Sequence, residues 1–155
     1  MRIVAISGSL REGSSNSALI KAAIAVAPTE IEWVVYEQLS DLPHFSPDLD
    51  IVPPPPPVAQ LRAIVASAQA VLICTPEYAH GVPGSLKNAL DWLVSSGELA
   101  GKPVALFVAS SGGEWARASL SNTLEVIEAR VIAEAGVSIP NARKRIDPQG
   151  NEERN

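Results

Sequence analysis

A chain of 155 residues has the size of one domain and buries enough apolar surface to fold without staples. Its single cysteine, Cys74, allows neither an intrachain disulfide framework nor a cysteine-based zinc site, which fits a reducing cytoplasm. The net charge of -5 argues against nucleic acid as a partner, and neither the opening MRIVAIS nor any later run has the apolar length of a secretory signal or membrane span, so a soluble, cytoplasmic protein is expected.

Short β-branched runs alternate with segments of helical period, the pattern of a parallel sheet covered by helices. Ile3 to Ser7 reads as a first buried strand, followed by the Gly/Ser stretch Gly8 to Ser17 and a helix with Leu19, Ala23 and Val26 on one stripe. Ile31 to Glu37 reads as a second strand. The prolines Pro53 to Pro57 lack N–H groups and have fixed φ, which favours an extended, rigid spacer. A helix is expected from Val58, with Leu61, Val65 and Ala68 on its face, and then a third strand, Val71 to Thr75, buried on both sides. After Pro83 comes a helix with Leu86, Ala89, Leu90 and Leu93 aligned, and Trp92 is read as a core or interface residue. Val104 to Ala109 is the fourth strand. Leu120, Leu124, Ile127 and Val131 predict one long helix ended by Gly136, and Val137 to Ile139 a short fifth strand. The domain is drawn over residues 1–140, with 141–155 a polar tail that holds the one basic cluster, Arg143, Lys144 and Arg145.

Right-handed crossovers between five such strands suit the order 2-1-3-4-5, in which ligands sit at the carboxyl ends of the strands. Three loops meet there. GSLREGSSNS offers backbone N–H groups, hydroxyls, an amide and the Arg11 guanidinium just before a helix, an arrangement suited to an anion. Ser14 and Ser15 stand where a triphosphate-binding loop needs Lys and Ser/Thr, and Ser9 replaces the second glycine of the dinucleotide fingerprint, so a terminal monophosphate is the expected ligand. The same residues also cap the helix, with Asn16 or Ser17 as the expected N-cap. In TPEYAHGVPG, Pro76, Gly81 and Pro83 stiffen a loop that presents backbone groups and Tyr78 to the edge of a planar ring. Glu77 either steers a substrate or fixes the loop. His80 reads as a loop residue. The third loop is Ser110 to Glu114.

Together, GSLREGSSN and PEYAHGVPGSLKNALDW closely resemble the NADPH-dependent FMN reductase family, which includes flavin, quinone and chromate reductases; the resemblance runs from about Ile3 to Gly150. It implies a flavodoxin-like three-layer α/β fold with FMN as cofactor and NADPH or NADH as electron donor. By position it implies Ser9, Arg11, Asn16 and Ser17, together with Ser14, at the phosphate; Pro76, Glu77, Tyr78 and Ala79 at the ring; and Ser110 and Gly112 closing its other side. Arg117 matches the arginine that often follows the glycine pair. No residue is assigned a catalytic role, because the flavin carries the chemistry. Two departures stand out. Many relatives have Asn where Ala79 stands, and relatives continue past a segment like IDPQGN into a final helix, so the expected sheet lacks one cover. The resemblance also implies a homodimer or homotetramer and a small-molecule acceptor, and a ping-pong cycle, in which the nicotinamide leaves before the acceptor enters, is the expected mechanism. The alternative function is a non-enzymatic electron carrier on the same fold, which Arg11 and the modest net charge disfavour. A phosphoacceptor signalling domain needs acidic residues where Ser7, Gly8 and Pro76 stand.

Overall fold

The computed structural model describes residues 1–110 and 112–142. Of the expected tail, residues 141 and 142 are described; 143–155, with the basic cluster at 143–145, lie outside the described residues. The chain runs β1 (Arg2–Ser7), α1 (Ser15–Val26), β2 (Glu32–Tyr36), α2 (Pro56–Ser67), β3 (Ala70–Thr75), α3 (Gly84–Asp91), β4 (Pro103–Ala109), α4 (Glu114–Val126), β5 (Arg130–Val131) and β6 (Val137–Ile139). All described strand pairs are parallel, in the order β2-β1-β3-β4-β5, with β6 also on β4. The strand order expected from the crossover rule is therefore the observed one, and the fold is the flavodoxin-like α/β sheet.

Alternation along the strands separates two apolar layers. Val4, Ile6, Val71, Ile73, Val104 and Leu106 face one way, against Leu61 and Val65 of α2, Leu86 and Leu90 of α3, and Leu120 and Leu124 of α4. Trp92 belongs to this layer: it is fully buried, its Nε1 donates to the Pro43 carbonyl at 2.8 Å, and Phe45 meets it edge-on with ring centroids 5.0 Å apart. Ala5, Leu72 and Cys74 face the other way, against Leu19 and Ile20 of α1. Beside α1 this second face holds an apolar groove of about 590 Å³ lined in part by Ile3, Trp33, Leu72 and Phe107. The buried Trp33 Nε1 has no hydrogen-bond partner among the described residues.

Two expectations about elements are corrected. The helix expected from Val58 begins at Pro56, so Pro56 and Pro57 form its first turn; proline suits that position because the first helical N–H groups have no acceptor. The long helix expected to run to Gly136 stops at Val126. Glu128 takes φ 61°, and Arg130 and Ile132 donate to the Lys102 and Val104 carbonyls, forming β5. The apolar spacing at Ile127 and Val131 did not distinguish helix from strand because both residues reach the same core layer. The fifth position of the sheet is thus shared by two short strands: β5 pairs with Pro103 and Val104, and β6 pairs with Phe107 to Ala109.

Candidate cofactor site

The site begins where β1 ends. The Gly8 N–H donates to the Cys74 carbonyl at 2.8 Å, which carries the β1–β3 pairing one residue past the strand. A Cβ on Gly8 would lie 2.9 Å from Thr75 Oγ1 and 3.0 Å from Leu86 Cδ2, so only glycine lets the loop leave the sheet at this height. The chain then turns through Ser9 to Gly13 and enters α1. The N-cap is Ser14, not Asn16 or Ser17 as expected: its Oγ accepts from the Ser17 N–H at 3.1 Å. Ser14, Ser15 and Asn16 are all buried.

These residues form one wall of a cavity of about 290 Å³ at the carboxyl ends of the strands. Ser9, Arg11, Ser14, Ser15 and Asn16 come from the first loop and the start of α1, and Pro76, Glu77 and Tyr78 from the loop after β3. Ala109 and Ser110 come from the end of β4, and Asn141 and Ala142 from the segment after β6. Among the described acidic side chains, only Glu77 lines it, so the end formed by the first loop is rich in donors and carries the positive charge of Arg11.

Three candidates stand apart from this cavity. Ser17 shares its hydroxyl with Ser14 Oγ at 3.0 Å and with Ser7 Oγ at 3.5 Å, and it lines a neighbouring cleft of about 540 Å³ with Ser7 and Lys21. Ala79 is exposed at the tip of a tight turn. Gly112 lies behind Glu77, where a Cβ would be 3.6 Å from Oε1. The residues at the cavity that sequence reasoning did not assign are Ser15, Ala109, Asn141 and Ala142. Ser15 was visible within the hydroxyl cluster. Asn141 and Ala142 carry no motif; only the rule that ligands meet the carboxyl ends of strands points to the segment after the last strand.

The loop after β3 is held from two directions. Tyr78 and Gly81 exchange backbone hydrogen bonds of 2.9 and 3.0 Å, which closes a two-residue turn with Ala79 at φ 49° and His80 at φ 60°. Glu77 Oε2 accepts from the Ala116 N–H at 3.0 Å, and the His80 ring stacks on Trp115 with centroids 5.3 Å apart. Of the two roles open to Glu77, the structure supplies contacts for fixing the loop. Arg117 lies behind the site: it donates to the carbonyls of Leu106 and Val137 and to Ser138 Oγ, joining β4 to β6.

Among the described residues no cluster of His, Cys, Asp or Glu could hold a metal ion, and no helix is long and apolar enough to cross a membrane. The family described as NADPH-dependent FMN reductase matches residues 1–144. An NAD(P)H-dependent FMN reductase of Pseudomonas aeruginosa is 36% identical over 155 residues, which covers 97% of this chain and 83% of that protein. A quinone reductase of Escherichia coli is 32% identical over 158 residues, covering 98% of this chain and 84% of its own. Among solved structures, a flavoenzyme NAD(P)H:(acceptor) oxidoreductase from Paracoccus denitrificans superposes with a TM-score of 0.86 at 29% identity, over 97% of this chain and 85% of that one. With the fold, the loop chemistry and these matches in agreement, the chain belongs to the NADPH-dependent FMN reductase family.

Proposed function

We propose that this chain is an FMN-dependent oxidoreductase that takes electrons from NAD(P)H and passes them to a diffusible acceptor in a ping-pong order. The observation that carries the proposal is the cavity itself. Its donor-rich end lies at the start of a 12-residue helix, and its other wall is a braced loop bearing a flat aromatic side chain.

The donor set fits FMN. Ser9, Arg11, Ser14, Ser15 and Asn16 would hold the phosphate, with Arg11 adding charge-assisted bonds and α1 its positive end. Pro76, Glu77, Tyr78 and Ser110 would line the ring, while Ala79 and Gly112 shape the loops behind them. When bound, FMN supplies reversible two-electron chemistry between the nicotinamide and the acceptor. The chain's residues supply orientation. The fixed φ of Pro76 and the Glu77 bond to Ala116 hold the loop still, and the buried Ser14, Ser15 and Asn16 keep water away from the anion's inner face. Donor and acceptor approach in turn over Tyr78, which is half exposed. An approach this open suits flat acceptors of several kinds, such as flavins, quinones and azo or nitro compounds, and metal oxyanions as well.

The visible spectrum of the purified protein tests this reading before and after anaerobic NADPH. Yellow protein that bleaches on NADPH is the expected result. Bleaching with dithionite alone points to a carrier, and colourless protein that takes up no added FMN counts against the cofactor. A cytoplasmic homodimer or homotetramer is part of the same proposal, and a monomer mass by light scattering at micromolar concentration counts against that part.

A further inference from the structure

We propose that Cys74 is a positioning residue for the phosphate end of the site, its thiol fixing the Asn16 amide so that Nδ2 points into the cavity. The inference rests on the cofactor reading above and deepens it.

Cys74 sits in the middle of the sheet, opposite Ser7 on β1 and Phe107 on β4, with its side chain on the α1 face and fully buried. Burial pushes the thiol well above its ordinary pKa, so at neutral pH it keeps its proton. That proton goes to one acceptor: Sγ donates to Asn16 Oδ1 at 3.4 Å. Asn16 lies in the first turn of α1, is only 3% exposed and lines the cavity.

A side-chain amide has one acceptor end and one donor end. With Oδ1 turned onto the thiol, Nδ2 occupies the opposite end. No described residue accepts from Nδ2, yet it is not a buried orphan; among the described residues Trp33 Nε1 alone is. With Oδ1 taken by the thiol and Asn16 lining the cavity, Nδ2 is the end of the amide left for a ligand there. Two N–H donors at this helix start, beside Ser9 and Arg11, suit the oxygens of a phosphate monoester. A flipped amide would place Oδ1 there and repel the same oxygens. The thiol disfavours the flip, because it would exchange the S–H···O bond for a contact between Nδ2 and sulfur, a weak acceptor.

The test compares FMN with riboflavin, which has the ring but no phosphate, using flavin fluorescence quenching for affinity and urea denaturation as a check on folding. Cys74→Val removes the donor at similar volume. It is expected to weaken FMN binding by about five- to tenfold, the scale of one neutral hydrogen bond, and to leave riboflavin within about twofold. Cys74→Ser restores a donor and is expected to recover FMN binding to within about twofold of the parent chain. Equal losses for both flavins, or no loss for either, overturn the inference. Should Cys74→Val fail to fold, Asn16→Asp replaces the Nδ2 donors with oxygen; FMN binding that survives this change with undiminished preference over riboflavin overturns it as well. An unmodified protein that binds neither flavin overturns the cofactor reading itself, whereas one that binds FMN no better than Cys74→Val overturns only the role of Cys74.

Discussion

Glu77 caps a helix to which it does not belong: its Oε2 accepts from the Ala116 N–H at 3.0 Å, within the first turn of α4. The N-cap position of that helix is Gly113, which has φ 94° and no side chain to offer. A side chain there is also sterically barred, since a Cβ would lie 2.7 Å from Val108 Cγ1. The missing cap is supplied by the loop after β3, and one hydrogen bond both stabilises α4 and holds that loop. Glu77→Ala is expected to cost about 1–2 kcal/mol in urea denaturation and to weaken FMN and riboflavin binding alike, because the loop after β3 loosens while the wall from Ser9 to Asn16 does not. Glu77→Gln keeps an acceptor and should recover most of the stability.

The turn at Ala79 and His80 places two consecutive non-glycine residues at positive φ, the signature of a type I′ hairpin, where Asn-Gly is preferred. Alanine has no side-chain hydrogen bond to offset that conformation. Ala79→Asn is expected to raise stability by about 0.5–1 kcal/mol, seen as a rise of roughly 1–4 °C in Tm. An unchanged or lower Tm would mean that the turn carries no strain.

His80, in the loop after β3, stacks on Trp115 in the first turn of α4, although Trp115 is 60% exposed. Trp115→Ala removes a contact worth about 0.5–1.5 kcal/mol that holds the strained turn. Hydrogen exchange at the Tyr78 and Gly81 amides, which close the turn, should accelerate about three- to tenfold while exchange in β1 and β3 stays unchanged.

Arg62 bridges Asp50 at 2.8 Å and donates through Nε and Nη2 to the Trp92 carbonyl at 3.0 and 2.7 Å. Hydrogen bonds from Ser95 and then Arg62 hold the Asp50 carboxyl below its ordinary pKa. A lowered folded-state pKa means that the unfolded chain binds the proton more readily. This contribution is therefore fully present above the unfolded value, near pH 4, and is lost as pH falls through the lower folded value. Asp50→Asn should flatten that part of the stability profile between roughly pH 5 and pH 2, measured by urea midpoints. Arg62→Ala should cost more at neutral pH, about 2–3 kcal/mol, because the Trp92 carbonyl loses both guanidinium donors and keeps only the long Ser96 hydroxyl bond of 3.5 Å.

The sequence by itself determined the strand order and two of the site's walls. The strands are apolar runs bounded by Gly, Ser and Pro, and alternation with helical period leaves few topologies once crossovers must be right-handed. GSLREGSSN and PEYAHGVPG carry their chemistry locally, since hydroxyls, an arginine and stiff turns act within a few residues of one another. What only the tertiary structure decided depends on contacts between distant segments. Val131 left the expected helix because the Lys102 and Val104 carbonyls accepted strand hydrogen bonds there. Ser17 turned from the cavity because Ser14 and Ser7 share its hydroxyl, and Asn141 and Ala142 reached the cavity because β6 ends beside it. Glu77 capped α4, and Cys74 oriented Asn16, 58 residues earlier in the chain, because the fold brings partners together that no local pattern links.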